Sequence, residues 1–288
     1  MKEYDKYLKL LKEKYPTKQS VYRELINLNA IMNLPKGTEH FMSDLHGEYD
    51  AFYHIINNCS GVIREKVAML YGDELTVYEQ QELCTLIYYP REKLSILMDE
   101  NKVNDEWYRN VLNQLIQIAK LLSSKYTRSK VRKAMPVDFA YIIDELIHAQ
   151  KDEDDNRSVY HRQIMETILS LHNGDEFLVA LTDLIKRLAV DHLHILGDIY
   201  DRGAHADKIL DLLMEHHSVD IQWGNHDILW MGAFCGNPVC MALVVRNNIK
   251  YKTMSILENG YGISLRFLLQ LIHIQIKMLM TQSIKLFL

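Results

Sequence analysis

Three short clusters carry most of the chemistry in this 288-residue chain: Asp44-Leu45-His46, Gly197-Asp198-Ile199-Tyr200-Asp201-Arg202-Gly203 and Gly224-Asn225-His226-Asp227. Together they offer carboxylate oxygens, imidazole nitrogens and an amide oxygen. That mixed O/N donor set suits a divalent cation such as manganese or iron. A carboxylate has two oxygens and can bridge two ions, and Asp198 stands in the middle cluster, where a bridge would be needed. Two ions about 3.5–4 Å apart clamp a phosphate and lower the pKa of a water between them, so that a hydroxide attacks phosphorus in line. An arginine such as Arg202 can hold two phosphate oxygens in a fork. A histidine such as His226 can give a leaving oxygen its proton. Taken singly the pieces are weaker. An Asp-x-His string is common by chance, and Gly-Asn-His-Asp also reads as a turn capping a helix. It is the three in this order, each after an apolar run, that point to a site.

The elements that must position these clusters are legible in the apolar pattern. Residues 38–43, 191–196 and 219–223 read as strands, each running into one cluster. Helices are predicted after them, over about 48–58 and 207–216. Strand–loop–helix units of this kind place ligands beyond the carboxyl ends of the strands. Residues 1–33 read as helical, broken at Pro16, with Leu8, Leu10, Leu11, Val21, Leu25, Leu28 and Met32 at helical spacing. Residues 62–188 hold only two glycines, Gly72 and Gly174, and apolar positions at helical spacing, so a long, mostly helical block is predicted there. Its acidic stretch Lys151–Arg157 reads as a solvated loop. His192 and His194 flank Leu193 and are read as facing away from the core, without a catalytic part. His216-His217 ends a helix, where histidine is expected as a cap favouring the negative dipole end. Met42, Trp223, Trp230 and Met231 are expected in the core.

Composition narrows the rest. Apolar residues make up 48% and charged residues 25%, as in ordinary globular domains, which excludes disordered and low-complexity classes. A net charge of −5, from 33 basic and 38 acidic residues, gives no basic footprint for nucleic acid. Cys59, Cys84, Cys235 and Cys240 are too few for a disulfide scaffold and lack CxxC spacing, so reduced thiols and a cytoplasmic location are expected. The N-terminus lacks the apolar segment of a signal peptide, and no apolar run before residue 266 is long enough to span a membrane. Neither G-x-x-x-x-G-K-[ST] nor G-x-G-x-x-G occurs, so a nucleotide cradle has no support.

The order D-x-H, G-D-x-x-D-R-G, G-N-H-D resembles the signature of the calcineurin-like metallophosphoesterases. The separation of 27 positions from Asp198 to Asn225 fits that superfamily, whereas the 154 from Asp44 to Asp198 exceed its usual spacing. A long helical insertion at that point is similar to the class III fructose-1,6-bisphosphatases of Firmicutes. The strings HFMSDLHGEYDAF, NNCSGVIREK, HILGDIYDRG, IQWGNHDILWMGA and ENGYGISLR carry the same likeness over about residues 5–266. The resemblance implies an α/β fold, part of a metallophosphoesterase β-sandwich flanked by helices. Residues 1–61 would start that domain, 62–188 would be the helical insertion, and 189–266 would continue the domain. It implies that Asp44 and His46 hold one metal, that Asp198 bridges two, and that Asn225 binds the second. His226 would be the acid, Asp201 would orient it, and Arg202 would bind the substrate phosphate. The implied reaction is manganese-dependent hydrolysis of fructose 1,6-bisphosphate, a step of gluconeogenesis, with a sugar bisphosphate as partner, no nucleic acid, no membrane, and a homo-oligomer left open.

Two departures qualify the likeness. Ala204 stands where many relatives have proline after D-R-G. The superfamily completes its second metal site with later histidines, yet after Asp227 this chain has only His273 and no G-H-x-H. The family's chains also run to more than twice this length. Residues 1–266 are therefore expected to be an N-terminal portion. Residues 267–288, which contain no Asp, Glu, Gly, Pro or Ala, are expected to be an aberrant, out-of-frame tail. With its second metal site incomplete and its sheet cut short, the chain is expected to be insoluble or nearly inactive. The alternatives are another metallophosphoesterase, such as a protein phosphatase or dinucleoside polyphosphatase, or a non-enzymatic fragment.

Overall fold

The computed structural model describes residues 2–149 and 155–264. In chain order, helices α1 (Lys2–Lys14) and α2 (Lys18–Ile31) precede strand β1 (Glu39–Met42) and helix α3 (Tyr49–Asn58). A run of helices follows: α4 (Val62–Tyr71), α5 (Val77–Tyr88), α6 (Pro90–Asp99), α7 (Asp105–Ser123), α8 (Arg128–Ala134), α9 (Ala140–Ile147), α10 (Asp155–Ser170) and α11 (Gly174–Ala189). Then come β2 (His192–Ile195), α12 (Ala206–Glu215), β3 (Val219–Ile221), α13 (Asn225–Phe234) and α14 (Pro238–Tyr251). The protein is thus mostly helical with a small sheet, α/β overall. The expected aberrant tail, 267–288, lies outside the described residues.

The chain divides into two compact units, one of residues 1–38 and 61–191, the other of 39–60 and 192–288. In the helical unit, α7 and α11 pack lengthwise. Leu112, Leu115, Ile118 and Leu122 of α7 and Phe177, Leu178, Leu181 and Leu184 of α11 are almost fully buried, at the i, i+3, i+4 spacing of one helix face. Helix starts are set by side chains. Asn104 Oδ1 accepts the Trp107 N–H, and Thr76 and Glu79 form a reciprocal capping box. The apolar residues of α1 and α2 lie at helical spacing, but Leu10 and Leu25 stay exposed, as does Met32 just past α2. Of the acidic stretch expected as a loop, 151–154 fall outside the described residues, and Asp155–Arg157 instead open α10. Among the described residues no helix is long and apolar enough to cross a membrane.

In the sheet unit, three parallel strands lie in the order β1-β2-β3. Glu39 pairs with His192, Phe41 with His194, and His194 with Asp220. Strand side chains alternate between faces. Leu193 and Ile195 of β2 are buried with Phe52 of α3 and Ile209 and Leu213 of α12, and Met42 and Trp230 pack at the edge of that cluster. His192 and His194 take the other face. Trp223 and Met231 do not join the core. Trp223, past the end of β3, is 67% exposed, and Met231 is 44% exposed on α13. The helical period of α13 alone does not say which face meets the sheet.

Candidate active site

The clusters occupy the loops that leave the carboxyl ends of β1, β2 and β3. Those loops are held to one another by backbone. The Asp44 N–H donates to the Gly197 carbonyl (3.2 Å), the His46 N–H to the Asp198 carbonyl (2.8 Å), and the Gly203 N–H to the His46 carbonyl (2.6 Å). Such close approach excludes side chains. A Cβ on Gly203 would sit 2.4 Å from the His46 carbonyl oxygen, and one on Gly197 would sit 2.3 Å from the Gly224 nitrogen. The same loops hold Asp44, His46, Asp198, Asp201 and Arg202 in the left-handed region, at φ 55°, 45°, 57°, 67° and 73°. Each non-glycine residue there costs on the order of 1 kcal/mol or more and persists only where its surroundings over-determine it, as they do at functional sites.

Asp44, His46 and Asp198 are brought together, each offering a ligand atom within 4.8 Å of the others. His46 is buried. Its Nδ1 donates to the Tyr200 carbonyl (3.1 Å), which can only accept, so the lone pair is left on Nε2. That Nε2 is buried without a hydrogen-bond partner and lies 3.6 Å from Asp44 Oδ1. A carbonyl on one imidazole nitrogen and an open lone pair on the other is how ligating histidines are oriented. Asp44 keeps an exposed carboxylate, and Asp198 Oδ1 accepts the His226 N–H (3.2 Å). Two carboxylates and one imidazole could hold a manganese-type cation, and the orphaned Nε2 is the atom such an ion would satisfy.

Beside this cluster, His226 Nδ1 donates to Asp201 Oδ2 (2.7 Å), which commits that proton and leaves Nε2 as the ring's outward nitrogen. The His46 and His226 rings meet edge to face, with centroids 5.4 Å apart. Asp201 is 1% exposed and accepts two more hydrogen bonds, from Trp230 Nε1 (3.1 Å) and Asn247 Nδ2 (2.8 Å). Trp230 also stacks on Tyr200, whose hydroxyl meets that of Tyr261 at 2.8 Å. Burial raises both phenol pKa values. Asn225 opens α13 next to His226 but is exposed, and among the described residues its amide joins no partner. Arg202 is likewise exposed, and among the described residues its guanidinium makes no ion pair. The structure therefore gathers Asp44, His46 and Asp198 in one group and Asp201 with His226 in another. Arg202 and Asn225 stand at the rim.

Three further residues matter that the motif reading left without a part. Asp227, 5% exposed, accepts four backbone N–H groups: Asp198 (2.7 Å) and Gly224 (2.9 Å) on Oδ2, Ile199 (2.9 Å) and Tyr200 (3.3 Å) on Oδ1. It ties the Gly197–Gly203 loop to the start of α13. Its place three residues after Gly224 is an N-terminal helix signature and was a legible signal. Trp230 was visible only as an apolar residue. Asn247 lies 46 residues from Asp201 and had no local signal. His216 caps the end of α12 as expected, its N–H donating to the Leu213 carbonyl, and burial, with His217 adding to the effect, pushes its pKa down to about 4. It is neutral near pH 7 and bonds locally to Ser218.

A parallel sheet whose carboxyl-end loops gather two carboxylates, an unpartnered imidazole nitrogen and a His–Asp pair defines an α/β protein with a candidate cation-binding active site. The chain belongs to the Firmicute fructose-1,6-bisphosphatase family, whose model matches residues 6–283. It is similar to the class 3 fructose-1,6-bisphosphatase of Listeria monocytogenes, 55% identical over 261 residues that cover 91% of this chain and 40% of that protein. It is 54% identical to that of Clostridium acetobutylicum over 260 residues, 90% of this chain and 39% of the relative. A Clostridium beijerinckii relative of the same name is 54% identical over 275 residues, 92% of this chain and 41% of the relative. The chain thus spans about two fifths of the length of these curated relatives. No solved structure matches it.

Proposed function

We propose that this chain carries a large part of the active site of a fructose-1,6-bisphosphatase, which hydrolyses fructose 1,6-bisphosphate to fructose 6-phosphate and phosphate in gluconeogenesis. The observation that carries the reading is family membership over nearly the whole chain. The gathered Asp44, His46 and Asp198, with a buried unpartnered nitrogen among them, support phosphoester chemistry. On this reading the three strands are part of a metallophosphoesterase β-sandwich, interrupted by the helical stretch 62–188.

Asp44, His46 and Asp198 would hold one manganese ion, and Asp198 with Asn225 would reach a second. When bound, such ions neutralise phosphate charge and lower the pKa of a bound water. The protein's own groups divide the remaining work. Asp201 accepts the Nδ1–H of His226 as a hydrogen bond and so directs Nε2 outward, where a protonated ring can donate to the departing sugar oxygen. The same carboxylate stabilises the charged ring. Arg202, free at the rim, suits a two-pronged grip on phosphate oxygens. None of the four cysteines forms a disulfide, which suits a cytoplasmic enzyme.

The test is phosphate release by the purified chain with manganese, from fructose 1,6-bisphosphate, a phosphoserine peptide and a dinucleoside polyphosphate. Preference for the sugar bisphosphate, lost by at least 100-fold in Asp198→Asn, supports the reading. Faster turnover of the peptide or the dinucleotide replaces the substrate with another of its superfamily. No turnover of any of the three is what the missing second-site histidines lead one to expect of the isolated chain, and it makes the chain a non-enzymatic portion of such an enzyme.

A further inference from the structure

The face of the sheet opposite the Leu193–Ile195 core carries a second cluster that the phosphatase chemistry does not use. His192 and His194, two residues apart on β2, project to the same face, and Asp220 of β3 is the register partner of His194. His192 Nε2 lies 3.2 Å from Asp220 Oδ2, and His194 Nδ1 lies 2.8 Å from Asp220 Oδ1. Ligand atoms of all three fall within 4.8 Å of one another. In a tetrahedral site with bonds of about 2.0–2.1 Å, neighbouring donors are roughly 3.3 Å apart, close to both contacts.

Both rings are held by groups outside the trio. Ser218 Oγ sits 2.6 Å from His192 Nδ1. Phe41 of β1 stacks on His194, with centroids 4.4 Å apart and planes 13° off parallel. Support of this kind orients ligating imidazoles. The proton placement is also consistent. With the His192 proton on Nδ1, facing the serine oxygen, Nε2 carries a lone pair toward Asp220. With the His194 proton on Nε2, its Nδ1 does the same. That His194 Nε2 is buried, lacks a hydrogen-bond partner, and has Glu39 Oε2 4.0 Å away. Asp220 itself is 58% exposed, so an ion has a path in.

We propose that His192, His194 and Asp220 form a binding site for a zinc-type divalent cation, which fastens β2 to β3 and keeps one position for water. The donor set, two nitrogens and one oxygen, is softer than the two carboxylates and one imidazole of the Asp44 cluster, and it selects the later transition metals. The inference does not depend on the phosphatase reading.

The test uses the full chain, stripped with a chelator and dialysed against zinc or cobalt(II), in an Asp198→Asn background that disables the Asp44 cluster. Metal per chain is measured by mass spectrometry, and cobalt geometry by its visible absorption. One retained equivalent with the strong bands of tetrahedral cobalt is expected. Asp220→Asn, nearly the same shape, should weaken binding by more than about 100-fold, since losing even an outer partner of a ligand costs about 10–100-fold. The double variant His192→Gln/His194→Gln should do the same, and it decides the matter if Asp220→Asn does not fold by circular dichroism. Zinc should raise the urea midpoint of the Asp198→Asn chain and leave that of the cluster variants unchanged. Absence of a retained equivalent, or its persistence in either folded cluster variant, overturns the proposal. In that case Asp220 merely accepts two imidazole N–H groups.

Discussion

Replacing Asp227 by asparagine changes one oxygen into an amide nitrogen and tests whether this carboxylate organises the site. Oδ2 serves the Asp198 and Gly224 N–H groups at 2.7 and 2.9 Å, and Oδ1 serves Ile199 and Tyr200 at 2.9 and 3.3 Å. Whichever way the amide turns, two backbone donors face an N–H₂ group. The relaxed variant will keep the shorter Oδ2 pair and abandon Ile199 and Tyr200. Hydrogen bonds to a charged group contribute about 1.5–3 kcal/mol each. One good and one long bond lost in a buried place therefore cost about 2–4 kcal/mol. Total stabilities are only about 5–15 kcal/mol, so the loss is large. The assay is urea unfolding in a Trp107→Phe background, where the remaining tryptophans, Trp223 and Trp230, both report on the sheet unit. A loss below about 1 kcal/mol would refute the reasoning. It would mean that the loop is held by backbone contacts alone.

Other outcomes follow from the same geometry. Gly203→Ala puts a Cβ 2.4 Å from the His46 carbonyl oxygen; the expected cost is about 1–3 kcal/mol, read by urea unfolding, because backbone rather than a flexible side chain must give way. Trp230→Phe and Asn247→Ala each remove one donor from Asp201; on the proposed reading, each should lower kcat for fructose 1,6-bisphosphate hydrolysis by about tenfold with KM little changed, the loss matching one hydrogen bond to a charged group. Unchanged kcat in both would show that His226 alone suffices to hold Asp201. His216, pushed down to about 4 from an ordinary 6.5, is neutral in the fold. Its contribution to stability is complete above pH 6.5 and is lost as pH falls through about 4, because the unfolded chain takes up the proton first. His216→Gln should flatten that part of the stability–pH curve, and an unchanged slope would assign it to other groups.

Much of the candidate site was legible because its residues lie in short local strings. Asp-x-His, the Gly197–Gly203 string and Gly224–Asp227 are each short enough for one turn to hold, and strand signals preceded all three. The strands appeared where the apolar runs put them, shortened by one or two residues at the ends, where backbone pairing stops before the apolar run does. Burial was less legible. Trp223 and Met231 belong to apolar strings yet face outward, because a side chain's face depends on which neighbour the element packs against. Asp155–Arg157 of the acidic stretch open α10, since an acidic residue in a first helical turn complements the helix dipole.

Residue type and period are carried by consecutive residues, so the groups available at the strand ends and the helical character of the long stretch between the first two clusters were readable from the chain alone. Which group supports which came from packing. It placed Asn247 and Trp230 on Asp201, gave Asp227 four backbone donors, left His46 Nε2 open beside two carboxylates, and set His192 and His194 across from Asp220. Apart from the Gly224 N–H on Asp227 and the nearness of Asp44 to His46, those relations join residues at least 26 positions apart. They follow from register and helix docking, which burial of Leu193, Ile195 and Ile209 selects and which no local pattern records.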